Sequence, residues 1–181
     1  MDELLERKVA GLLGARGFKI ATAESCTGGL IGHRLTNIPG SSDYYLGGVV
    51  AYAYQAKVTL LGVSWETLGK HGAVSRETVL EMAHGIRAAL GADLAVSVSG
   101  IAGPGGGMPG KPVGTTWLGL SAADGEWAQV WCFAGQREQN KYAASEAALA
   151  LVCDYLLGRR DLDQLDPAGG HASQCPDEFL K

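Results

Sequence analysis

Apolar residues recur at helical spacing in two well-marked stretches. Leu5, Val9, Leu12 and Leu13 share one face of a helix that Gly17 ends. Val79, Met82, Ala83, Ile86 and Leu90 form a second stripe, on a helix over Arg76–Leu90 that Ser75 caps and Gly91 stops. A third, longer helix is predicted over about residues 138–157, and shorter ones over 28–35 and 55–61, the latter closed by Gly62. Ser64 can cap one more. Between the helices lie strand-like runs at 18–23, 44–54, 94–99, 115–122 and 127–133. The run at 94–99 is apolar enough for both faces to be buried, and the last two are joined by Ala-Asp-Gly-Glu, a hairpin signal. Helices alternating with strands, with one hairpin interrupting, predict an α/β layered domain with a mixed sheet.

Composition narrows the class. The 181 residues suit one domain with a real core, with 46% apolar and 19% charged residues. We expect a domain over residues 1–158 and a mobile, aperiodic tail over 159–181. A net charge of −4 and a pI of about 5.5 argue against a broad nucleic-acid surface, which needs clustered Lys and Arg. No apolar run approaches the ~20 residues that span a bilayer, and the charged, amphipathic start is unlike a signal peptide. A cytoplasmic protein without membrane contact is expected. Cys26, Cys132, Cys153 and Cys175, like His33, His71, His84 and His171, are scattered, which proposes neither a disulfide framework nor a metal site.

Glycine, 27 residues of 181, is roughly twice as frequent as usual. It clusters at Gly28-Gly29, Gly47-Gly48 and Gly100 to Gly114. Two of these clusters fall where a strand ends, the usual place for a site in an α/β sheet. The first junction reads TAESCTGG from Thr22 to Gly29. Ser25 and Thr27 fit helix caps as well as chemistry, and Cys26 fits a small buried residue as well as a thiol nucleophile. Glu24 fits either a helix-end carboxylate or a partner orienting Lys57. The second junction contains Gly105-Gly-Gly-Met-Pro-Gly110-Lys111-Pro112, which nearly matches a phosphate-cradling loop. Pro112 stands where the magnesium-binding hydroxyl belongs and Pro109 removes an amide, so a nucleoside-triphosphatase is rejected. Lys57 is either a solvated helix lysine or a desolvated amine able to act as a base near neutral pH. Arg137 is either a surface residue or a clamp for a phosphate at the start of the last helix.

Six stretches together resemble the CinA C-terminal domain family. They are AESCTGG (Ala23 to Gly29), AYAYQAK (Ala51 to Lys57), HGAVS (His71 to Ser75), SGIAGPGGG (Ser99 to Gly107), KPVGTTW (Lys111 to Trp117) and the F-x-G-x-R of Phe133, Gly135 and Arg137. The resemblance implies a three-layer α/β/α sandwich and a pyridine-nucleotide amidohydrolase. That activity converts nicotinamide mononucleotide and water to nicotinic acid mononucleotide and ammonia, with neither cofactor nor metal. By position it makes Ser25 the nucleophile and Lys57 the general base. The oxyanion would fall to amides around Thr27, Gly28 and Gly29 or around Gly100 to Gly103. Thr27 and the loop of Ser99, Gly100, Ala102 and Gly103 would touch ribose or phosphate, Arg137 the phosphate, and Tyr52 the pyridine ring. Ala53-Tyr54-Gln55 departs from the family pattern beside Lys57. The resemblance further implies a homodimer or larger homo-oligomer, and a stand-alone form of a domain often fused behind a larger one. A catalytically silent module, binding nucleotide or a partner in competence or DNA-damage responses, is the alternative.

Overall fold

A computed structural model describes residues 4–159 and 161–163. Its elements are α1 (Leu5–Arg16), β1 (Ile20–Glu24), α2 (Leu30–Thr36), β2 (Tyr45–Val50), α3 (Tyr54–Leu61), α4 (Trp65–His71), α5 (Arg76–Leu90), β3 (Leu94–Gly100), β4 (Thr115–Ala122), β5 (Gly125–Cys132) and α6 (Arg137–Leu156). The sheet order is β2-β1-β3-β4-β5. Strands β2, β1 and β3 run parallel, and β4 and β5 add antiparallel strands, so the sheet is mixed.

Strand alternation sorts side chains into two cores. On one face Ile20, Leu94, Val96, Val98, Leu118 and Leu120 pack against α1, α2 and α6. On the other, Ala21, Ala23 and Ala95 pack with α5 and the end of α3. The fold is thus α/β/α in three layers, as the resemblance implies. The first face carries large residues, each contributing about 1.5–3 kcal/mol on burial. The second is a seam of small ones, because α5 comes down to the backbone: Ser97 Oγ donates to Val79 O at 2.6 Å, and a Cβ on Gly119 would lie 2.5 Å from that same oxygen. In turn α3 lies so close to α5 that a Cβ on Gly85 would overlap Leu61 O.

The caps form as the sequence predicts. Ser64 and Ser75 accept from the amides of Thr67 and Thr78, and Gly17, Gly62 and Gly91 close their helices in left-handed conformations. Leu90, assigned to the buried stripe of α5, is 40% exposed at the helix end. The run at 44–54 is a strand only as far as Val50. Its neighbour β1 turns away after Glu24, the partner of Val50, so residues 52–54 have no strand to pair with. Cys26 and Cys153 are free and buried, while Cys132 is disulfide-bonded, a link that the scattered spacing does not foretell. Within the segment expected to be a mobile tail, Leu162 is buried; its carbonyl accepts from Gln129 Nε2, and Asp163 accepts from the Ala128 amide. Most of that segment lies outside the described residues. Among the described residues no helix is long and apolar enough to cross a membrane.

Candidate active site

The period of two along β1 decides what its last residues face. Thr22 and Glu24 follow Ile20 toward α2; Ala21, Ala23 and then Ser25 follow the opposite phase toward α3. The Ser25 amide donates to Val98 O at 3.0 Å, which fixes the residue at the end of the sheet. Lys57, in the first turns of α3, is fully buried. Its Nζ lies 3.0 Å from Ser25 Oγ and donates to Ala51 O at 2.6 Å, with Tyr52 O at 3.5 Å. Burial lowers the Lys57 pKa to about 8, because the ammonium form loses its hydration. A Cys26 thiolate would oppose that shift, but burial pushes the Cys26 thiol up to about 12, with Glu24 adding to the rise and Lys57 and the amides of Cys26 and Thr27 opposing it. Cys26 is therefore a protonated, packed neighbour at neutral pH, while the Ser25 hydroxyl lies within hydrogen-bond reach of the amine whose pKa burial lowers.

Glu24 is the residue the sequence left open, and the structure makes it a helix-end carboxylate. It is 1% exposed and accepts four hydrogen bonds. One oxygen takes Thr27 Oγ1 at 2.6 Å, the Gly29 amide at 3.0 Å and the Ile31 amide at 3.1 Å; the other takes the Gly32 amide at 2.9 Å. The N-terminus of α2, with its unpaired amides and positive dipole end, is thus filled from within. The Thr27 hydroxyl is committed to Glu24 and its side chain is buried, which leaves the Thr27 amide as its means of touching a ligand.

The possible oxyanion donors sort themselves the same way. The Gly28 amide donates to Ser25 O, and that of Gly29 to Glu24. Among the described residues, the amides of Cys26 and Thr27 on one side and of Ala102 and Gly103 on the other donate to no carbonyl or carboxylate. Two of these follow Ser25 directly, the arrangement an acyl-transfer site uses.

The glycine loop after β3 is held by side chains from elsewhere. Buried Asn140 of α6 donates to Ala102 O at 3.1 Å and accepts from the Gly135 amide at 2.9 Å. Arg137 donates to Gly103 O at 2.9 Å and to Tyr52 Oη at 3.1 Å, bridging the loop to the segment before α3. Lys111 Nζ reaches His71 O at 2.8 Å. Ser99 is buried at the end of β3, and Gly100 sits where a Cβ would lie 2.5 Å from Thr116 Oγ1. Tyr52 is 61% exposed, with its hydroxyl on Arg137. The residues carried over from the resemblance therefore come together at the ends of β1, β2 and β3. Asn140, which sequence reasoning missed, carries one signal: an Asn within the first turn and a half of an otherwise alanine-rich helix. No group of three or more His, Cys, Asp or Glu placed to hold a metal ion occurs among the described residues.

Known proteins match this chain over the same region. A CinA-like protein of Salinibacter ruber is 53% identical over 148 residues, 82% of this chain and 36% of the relative. One of Chloroherpeton thalassium is 51% identical over 159 residues, 86% of this chain and 38% of the relative. The chain thus spans little more than a third of the length of these curated relatives. Among solved structures, the competence damage-inducible protein A (ComA) of Klebsiella pneumoniae superposes with a TM-score of 0.83 at 41% identity, over 86% of this chain and 97% of that one. The competence/damage inducible protein CihA of Agrobacterium tumefaciens gives 0.80 at 39%, over 87% and 99%. The sequence model of the CinA C-terminal domain matches residues 2–156, and the chain belongs to that family.

Proposed function

We propose that this domain is an amidohydrolase that converts nicotinamide mononucleotide and water to nicotinic acid mononucleotide and ammonia. The observation that carries the reading is the 3.0 Å contact between Ser25 Oγ and a fully buried Lys57 Nζ whose pKa is lowered to about 8. In the proposed mechanism, neutral Lys57 takes the proton of Ser25 as Oγ attacks the carboxamide carbon. The amides of Cys26 and Thr27, or of Ala102 and Gly103, receive the developing oxyanion; losing one such donor typically costs about 3 kcal/mol of barrier. Lys57 passes its proton to the amide nitrogen, the C–N bond breaks and ammonia leaves. Water, deprotonated by Lys57, then attacks the ester on Ser25, and the proton returns to Oγ.

Ammonia release from the mononucleotide, compared among wild type, Ser25→Ala, Cys26→Ala and Lys57→Met, tests the assignment. Ser25→Ala and Lys57→Met are expected to lose at least about 10³-fold in kcat, as residues acting as one unit do, and Cys26→Ala to keep most activity. Full activity in Ser25→Ala would sink the nucleophile. The base must be neutral to accept a proton, so kcat/KM is expected to rise with pH around a midpoint near 8. Tight nucleotide binding without turnover would instead favour a sensing module.

A further inference from the structure

Glu24 closes the obvious seat for an anion. Three amides at the start of α2 are engaged by a carboxylate, whose charge repels a second anion there. A mononucleotide brings a phosphate that must lie elsewhere. Arg137 is one cation at the cleft, but it is shared between Gly103 O and Tyr52 Oη. Lys141 stands one turn further along α6, half-buried. A Cβ placed on Gly28 would lie 3.8 Å from Lys141 Nζ, so the ammonium hangs over the turn that begins with Ser25. Among the described residues Lys141 has no hydrogen-bond or ion-pair partner; Glu138, on the preceding turn, makes no bridge to it. Residues four apart on a helix are roughly 5–6 Å apart at Cβ, a span one phosphate group bridges.

We infer that Lys141 is a second phosphate-binding residue, paired with Arg137, and that it sets the preference for a nucleotide over its nucleoside. This rests on the amidohydrolase reading for the identity of the substrate, and on geometry alone for the anion subsite. The anion lies between the turn at Gly28 and the loop at Gly103, with one cation reaching each side. Lys141 touches the phosphate and not the reacting carbon.

The experiment compares Lys141→Met and Lys141→Arg with wild type on nicotinamide mononucleotide and nicotinamide riboside, and titrates ribose 5-phosphate by calorimetry. Lys141→Met is expected to raise KM for the mononucleotide about 10- to 100-fold, the usual effect of losing one charged hydrogen bond. It should leave kcat and the riboside unchanged, and Lys141→Arg should restore the preference. An unchanged nucleotide-to-riboside ratio in folded Lys141→Met overturns the inference while leaving the amidohydrolase standing. If wild type hydrolyses neither amide, that reading fails on its own. Ribose 5-phosphate affinity weakened by Lys141→Met then still supports the subsite, and affinity indifferent to the substitution overturns it.

Discussion

At the end of β1 the chain turns around a carboxylate that belongs to the turn itself. At the end of β3 it turns around side chains lent by α6, 34 to 38 residues further on. The first junction engages the Gly29, Ile31 and Gly32 amides from within and buries residues 22–27, leaving the Cys26 and Thr27 amides without a carbonyl or carboxylate among the described residues. The second exposes residues 104–109 and is held by Arg137 through a loop carbonyl and an exposed tyrosine hydroxyl. A nucleophile gains from rigidity, because its geometry is fixed before the substrate arrives. A binding loop gains from contacts that a ligand can exchange. The two glycine-rich stretches look alike as sequence and differ in where their hydrogen-bond partners come from.

Breaking the first junction should have the largest effect. Glu24→Ala leaves two buried amides, the part-buried Gly29 amide and the Thr27 hydroxyl without a partner, and should cost about 3–5 kcal/mol in urea unfolding. A loss below about 1 kcal/mol would mean the turn is not organised by its own carboxylate. Asn140→Ala should cost less, about 2 kcal/mol, since it orphans one amide and one carbonyl. Hydrogen exchange should then quicken at residues 101–107 and stay unchanged at 25–32; equal quickening at both would erase the distinction between the junctions. Tyr52→Phe removes only an exposed bond to Arg137 and should change KM for the mononucleotide less than about fivefold, equivalent to ~1 kcal/mol. A larger change would make that bond part of the binding site rather than a dispensable tie.

Much of this was legible in the sequence, and for identifiable reasons. The caps at Ser64 and Ser75 and the stripe from Val79 to Ile86 are local signals, and local signals survive folding. Ser25 and Lys57 were each candidates from their surroundings, but only the family resemblance paired them, because nothing in their 32-residue separation announces a 3.0 Å contact. Glu24 stayed ambiguous because its role depends on which face of β1 it leaves, and that depends on the strand's phase. Tyr52 was read inside a strand because the length of β2 is set by where its neighbour turns, which is a property of β1. Asn140 and Lys141 escaped because a polar residue early in a long helix reads as solvated surface until the loop it meets is in place.

The small-residue seam under α5 has a consequence for how the amine finds the alcohol. Gly119 and Ser97 let α5 rest on the sheet, and Gly85 lets α3 rest on α5. The distance of α3 from the sheet is thus set in part by main-chain contacts, and the Lys57 side chain spans what remains to Ser25. Enlarging Gly85 or Gly119, far from that contact, would push the helices outward and lengthen the approach of Lys57 Nζ to Ser25 Oγ.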